Sequence, residues 1–163
     1  IGKGVARRCM GFKMRVLCCD QYQDEAFASE CNAEYVDLDT LISESDFITI
    51  HSPLTPETQN LIGKEQLRMM KKEVILINTA RGGIIDEDAL YEALKSGEIR
   101  AAALDATVDE EPSKSKLNEL QNCILTPHAG AATREASSKM SLMAARNVLE
   151  VLETGESRNQ ITI

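Results

Sequence analysis

Short apolar runs alternate with segments of helical period along the whole chain, and this alternation restricts the fold more than any other feature. The runs are 14–19, Phe47–Ile50, 74–77, Ala101–Leu104 and Cys123–Leu125. They lack clean polar alternation, as strands covered on both faces do. Between them, Ala89, Leu90, Ala93 and Leu94 form one apolar stripe, with Asp86 placed to cap that helix and Gly97 to end it. The longest helix is predicted over about residues 132–153. Its buried face is expected at Ala136, Met140, Met143, Ala144, Val148, Val151 and Leu152, with Gly155 as the stop. Strands alternating with helices imply parallel βαβ units with right-handed crossovers. The expected fold is therefore α/β, a doubly wound parallel sheet. Such sheets bind ligands at the carboxyl ends of their strands, so residues just after each strand carry the functional argument.

Composition excludes several classes. The net charge of −8 offers no footprint for nucleic acid. No apolar run approaches the ~18 residues of a membrane span. Apolar residues at 43% and charged residues at 27% are ordinary for a globular domain of 163 residues. The five cysteines, Cys9, Cys18, Cys19, Cys31 and Cys123, match no zinc or disulfide spacing and are expected to be buried, reduced thiols of a cytoplasmic protein. Cys18 and Cys19 are expected on opposite faces of one strand. No metal site is expected.

The opening Ile1-Gly2-Lys3-Gly4 leads into a helix predicted over 2–10, and the strand after it ends at Asp20. A dinucleotide fold places a carboxylate at about this distance after its glycine turn, where it accepts hydrogen bonds from ribose hydroxyls. Gly2 then reads as the last glycine of G-x-G-x-x-G, with Ile1 beside it. On this reading the first strand is lacking, and its absence should expose strand edges and apolar surface. A turn or cap role for Asp20 remains open. With no basic residue following it, Asp20 favours NAD over NADP.

Four motifs follow four strands. "HSPLTPET" begins at His51; its prolines stiffen the turn, and Thr55 could cap a short helix begun by Pro56. "INTARGG" places Arg81 beside two glycines, where a guanidinium can bind a carboxylate with two parallel hydrogen bonds; a surface ion pair is the plainer alternative. Asp105, Asp109, Glu110 and Glu111 form an acidic loop over 109–116 and just before it, which also reads as a solvated surface. "TPHAGAAT" sets His128 between a strand end and a helix start; it could serve as a general acid/base or be a histidine satisfied by backbone. Each motif follows a different strand, so all should converge on one crevice. A carboxylate-binding Arg, an acid/base His and an orienting Glu suit hydride transfer on a 2-hydroxy acid beside a nicotinamide.

The stretches "DFITIHSPLTPET", "INTARGGIIDEDALYEALKSGEI", "AALDATVDEEP" and "TPHAGAAT", in this order, resemble the D-isomer-specific 2-hydroxyacid dehydrogenases, which include phosphoglycerate dehydrogenase. The resemblance covers essentially the whole chain. It implies a Rossmann-type fold and NAD as cofactor. Arg81 matches the arginine that holds the substrate carboxylate and keto oxygen, and His128 the acid/base. Asp20 matches the ribose-binding acid. Ser52, Thr79, Ala80, Asp105, Ala129 and Gly130 match cofactor contacts, with Pro53 and Thr58 next to them. For the glutamate that hydrogen-bonds the histidine, spacing from Arg81 gives Glu110, whereas adjacency to Pro112 gives Glu111. Glu110 is preferred because the strand ending at Asp105 is in register with Arg81.

The resemblance further implies a homodimer and a small-molecule 2-hydroxy acid substrate, with 3-phosphoglycerate among the candidates. Residues 1–163 read as the NAD-binding domain alone, truncated at its N-terminus and without the substrate domain, so that this piece by itself is expected to lack turnover. Two other readings stay open: an NAD(H)-sensing module like the C-terminal-binding-protein corepressors, and an inactive fragment.

Overall fold

The computed structural model describes residues 1–109 and 111–161. It divides into two compact units, Ile1–His128 and Ala129–Ile163.

The first unit holds two parallel sheets. Helix α1 (Gly2–Cys9) precedes strand β1 (Val16–Cys18), then α2 (Glu25–Cys31) and β2 (Ala33–Tyr35). β1 pairs with β2 in parallel, with Leu17 opposite Glu34. Their small core is Ala6, Phe27 and Cys31, with Val16, Cys18 and Ala33 packed on it. The chain continues through α3 (Leu38–Glu44), β3 (Phe47–Ile50), α4 (Lys64–Met69), β4 (Ile75–Asn78), α5 (Glu87–Ser96), β5 (Ala101–Leu104) and β6 (Cys123–Leu125). These four strands form one parallel sheet in the order β3-β4-β5-β6.

In-register pairing puts Ile48, Leu76, Ala102 and Cys123 in one row, and Ile50, Asn78, Leu104 and Leu125 in the next. The two rows share a face, because alternate residues of a strand point the same way. That face meets Ile42 of α3, Leu67 of α4 and Leu90, Ala93 and Leu94 of α5 in the main core. The expected N-cap is present: the Asp86 carboxylate accepts from the Ala89 amide, and Gly97 ends α5 in the left-handed region (φ 72°).

The first unit departs from expectation in four places. Strand cover is one-sided: β3 alternates exposed and buried residues, and Phe47 and Ile124 on the opposite face are 53% and 65% exposed. Helices α3 to α5 all fall on one face, so the other receives no comparable layer within this unit. β2 is an unexpected strand, because three residues containing Glu34 carry no apolar run. Cys19 lies outside β1 and is exposed, which corrects the expectation of uniformly buried thiols; Cys31 is buried and the other three are intermediate. Burial pushes the Cys123 thiol up to about 11, so it resists ionisation at neutral pH. Finally, Pro56 starts no helix: the Thr55 carbonyl accepts from the amides of Thr58 and Gln59 in a run of turns.

The second unit is a turn followed by α6 (Arg134–Thr154), capped by the Thr133 side chain at the Ala136 amide and ended by Gly155 (φ 84°). None of its residues is buried, contrary to the expected buried stripe; Met140 is 55% and Leu152 77% exposed. A lone helix supplies no second layer, and its own unit contains none. Among the described residues no helix is long and apolar enough to cross a membrane.

Candidate active site

All four strands of the larger sheet are parallel, so their carboxyl ends lie along one edge. β3 ends into His51, β4 into Thr79, Ala80 and Arg81, β5 into Asp105, and β6 into Thr126 and His128. β4 and β6 flank β5, which places the ends carrying Arg81 and His128 roughly 10 Å apart at two strand spacings.

The loop after β3 is fastened by Thr58. Its hydroxyl donates to the Pro53 carbonyl at 2.7 Å and accepts from the Thr55 amide at 2.8 Å. Thr58 thus has a structural task whatever it neighbours. The chain then runs beside the segment following Arg81: the Asn60 amide donates to Gly83 O, Ile62 N–H to Ile84 O, and Asp86 N–H back to Ile62 O. Gly83 adopts φ 81°, and a Cβ there would lie 3.7 Å from the Leu54 side chain. The proline-stiffened loop and the Arg-Gly-Gly turn are therefore direct neighbours.

Arg81 is exposed, and its Nη1 donates to the Ala80 carbonyl at 2.7 Å. Asn78, which the sequence reading passes over, is buried and bonds two groups of this turn. A polar residue closing an apolar run, in phase with its buried positions, was the available signal. Gly82 lies against the loop after β5: a Cβ there would sit 2.3 Å from the Thr107 carbonyl oxygen.

Just after β6, the Thr126 hydroxyl donates to the Asp105 carboxylate in a short hydrogen bond that ties the ends of β5 and β6. The His128 amide donates to Thr126 O at 2.9 Å, and His128 itself adopts φ 51°. A left-handed backbone at a residue other than glycine is uncommon, and such conformations cluster at functional sites. Of the two glutamate candidates, Glu110 lies outside the described residues. Glu111 is exposed and paired with Lys114 at 2.7 Å. Ala129 and Gly130 open the second unit, where Ala129 O accepts from the Ala132 amide.

At the start of the chain, Ile1 caps α1 without a side-chain hydrogen bond. The first-turn amides of a helix have no intrahelical acceptor and favour an anion. Gly2 packs on the His51 ring, where a Cβ would approach to 3.4 Å. Asp20, after β1, is exposed, and one carboxylate oxygen accepts from the Tyr22 amide at 2.9 Å. A helix start suited to phosphate, with a carboxylate at the end of the next strand, fits the donor and acceptor needs of a dinucleotide.

The His51 ring also bonds Thr49 Oγ1 at 3.0 Å. Burial lowers its pKa from the ordinary 6.5. The fold then favours neutral His51, so its contribution to stability is complete above about pH 6.5 and is lost as pH falls through the lowered folded value. Thermal unfolding of the wild type should accordingly fall off more steeply between about pH 7.5 and 5.5 than that of His51→Gln. Parallel curves would show that His51 does not contribute.

Residues 1–130 match the family model described as D-isomer specific 2-hydroxyacid dehydrogenase, NAD binding domain. The chain belongs to this family. It is 48% identical over 150 residues to a glyoxylate reductase of Korarchaeum cryptofilum, covering 91% of this chain and 45% of that protein. It is 44% identical over 164 residues to a D-3-phosphoglycerate dehydrogenase of Methanocaldococcus jannaschii, covering 100% of this chain and 31% of the relative. Among solved structures, the D-lactate dehydrogenase from Aquifex aeolicus complexed with NAD and lactic acid superposes with a TM-score of 0.89 at 32% identity, over 99% of this chain and 55% of the other. The chain thus spans between about a third and a half of these relatives' lengths. The parallel α/β architecture is the Rossmann type of the family's NAD-binding domains.

Proposed function

We propose that residues 1–163 form the NAD-binding domain of a longer NAD-dependent D-2-hydroxyacid dehydrogenase, which interconverts a 2-hydroxy acid and its 2-keto acid. The observation that carries this reading is the common edge: a braced arginine after β4 and a left-handed histidine after β6, on strands flanking β5. Family membership supports the reaction class.

On this reading the first turn of α1, with Ile1 and Gly2, receives the pyrophosphate, and Asp20 accepts hydrogen bonds from the adenosine ribose. Ser52, Pro53, Thr58, Thr79, Ala80, Asp105, Ala129 and Gly130 line the rest of the cofactor's path. Bound NAD supplies the acceptor for the hydride that leaves C2 of the substrate. Arg81 grips the substrate carboxylate. Its Nη1 already serves the Ala80 carbonyl, so the Nε–Nη2 edge is the one suited to two parallel hydrogen bonds. His128 takes the proton from the C2 hydroxyl as the carbonyl forms, and returns it in the reductive direction. Glu110, or Glu111 in its place, hydrogen-bonds the imidazole and favours its protonated form. The reading includes a cytoplasmic homodimer, on family resemblance; light scattering checks the oligomer.

The test is turnover by the intact protein. NADH oxidation with glyoxylate and hydroxypyruvate, and NAD⁺ reduction with D-lactate and D-3-phosphoglycerate, should reveal at least one substrate, with NAD(H) preferred over NADP(H). Arg81→Ala should raise KM and cut kcat/KM by about 10²-fold or more. No turnover of any 2-hydroxy or 2-keto acid overturns the reading. Unchanged kcat/KM in Arg81→Ala removes that residue's role.

A further inference from the structure

The turn that carries Arg81 is held by one buried amide. Asn78 closes β4 on the core face and is 1% exposed. A buried carboxamide needs partners for both its ends. Its Nδ2 donates to the Arg81 carbonyl at 2.8 Å, and its Oδ1 accepts from the Ala80 amide at 3.0 Å. Both partners belong to the same short turn, so the side chain spans that turn from inside. The Asn78 backbone carbonyl in turn accepts from the Asp105 amide at 2.9 Å, which ties it to the end of β5. On the outer side, Gly82 rests on the Thr107 backbone, and Thr107 is itself buried. The Arg81 backbone is therefore fixed from two sides although its guanidinium is exposed.

We propose that Asn78 is a positioning residue for substrate binding: its carboxamide sets the backbone from which Arg81 reaches the substrate carboxylate. The inference rests on the reading of Arg81 given above. A guanidinium stands several bonds from its Cα, so a small backbone rotation displaces it by a large fraction of an ångström. A misplacement of about 1 Å costs on the order of 10²-fold in rate. A leucine-like residue at position 78 would fill the same core volume but leave the Arg81 carbonyl and Ala80 amide without their partner.

Asn78→Asp isolates the Arg81 arm. It keeps an oxygen for the Ala80 amide and sets a second oxygen against the Arg81 carbonyl. The intact enzyme is assayed as wild type, Asn78→Asp, Arg81→Ala and the double variant, with the 2-keto acid turned over fastest in the panel above. NADH affinity is measured alongside by fluorescence titration. The expected result is a kcat/KM loss of about 10- to 100-fold in Asn78→Asp, carried mainly by KM. NADH affinity should stay within about threefold. In the Arg81→Ala background the same change should cost less than about threefold, because residues that act through one another are not additive.

An equal loss in both backgrounds, or no loss in either, overturns the proposal; the first outcome would mean that Asn78 acts on the fold and not on Arg81. Wild-type kcat/KM in Arg81→Ala alone would instead refute the arginine's role, and this proposal with it, and the single variant reveals that separately. If Asn78→Asp fails to fold, the neutral Asn78→Ser runs the same cycle.

Discussion

If His128 is the general acid/base proposed above, replacing it with Asn in the intact protein is expected to lower kcat by about 10²- to 10⁴-fold, the usual contribution of such a group. NADH affinity and folding should change little. The choice of Asn follows from the backbone. His128 sits at φ 51°, where Asn is better tolerated than most side chains and a β-branched residue is strained. The His128 amide donates to Thr126 O through the backbone, a bond that Asn at this position can keep. Steady-state kinetics with NADH titration checks the split. Turnover within a few-fold of wild type would remove His128 from the chemistry.

Gly82→Ala is expected to be among the most damaging small substitutions in the domain. The added Cβ would lie 2.3 Å from the Thr107 carbonyl oxygen, 2.4 Å from its carbon and 2.6 Å from the Val108 nitrogen. All three are backbone atoms, and Thr107 is buried, so nothing flexible can give way. The two loops must separate, at a cost of about 3 kcal/mol, or roughly 10 °C in Tm for a domain of this size. Separation also shifts Arg81, so kcat/KM should fall with stability. Gly11→Ala is the control, because nothing lies within 4 Å of a Cβ there. Equal Tm values for the two variants would mean that the close approach does not exist in solution.

Much of this was readable from local chemistry. The four strands of the larger sheet contain the apolar runs expected at Phe47–Ile50, 74–77, Ala101–Leu104 and Cys123–Leu125, with β4 displaced by one residue. Asp86 and Gly97 bound α5 as their side-chain and backbone preferences dictate. Arg81, Asp105 and His128 were placed by one rule, that parallel strands present their carboxyl ends together. What escaped the sequence reading depends on partners distant in the chain. β2 is a strand because β1 offers it a ladder, with Arg15 reaching Glu34 at its edge at 2.9 Å. The stripe on α6 has the right period, yet period states only which residues share a face and not whether anything covers it.

The amino-acid sequence alone determined the alternation of elements, the caps that bound them, the family and the residue types gathered at one sheet edge. These follow from periodicity, propensity and motif, which act over a few residues. Only the tertiary structure decided that Asn78 turns its amide inward beneath Arg81, that Gly82 has no room for a methyl group, and that His128 takes a left-handed backbone. The Gly82 contact depends on how loops from different strands pack together, which leaves no periodic trace in the chain, whereas the Asn78 and His128 geometries are set within single turns whose exact conformation periodicity does not specify.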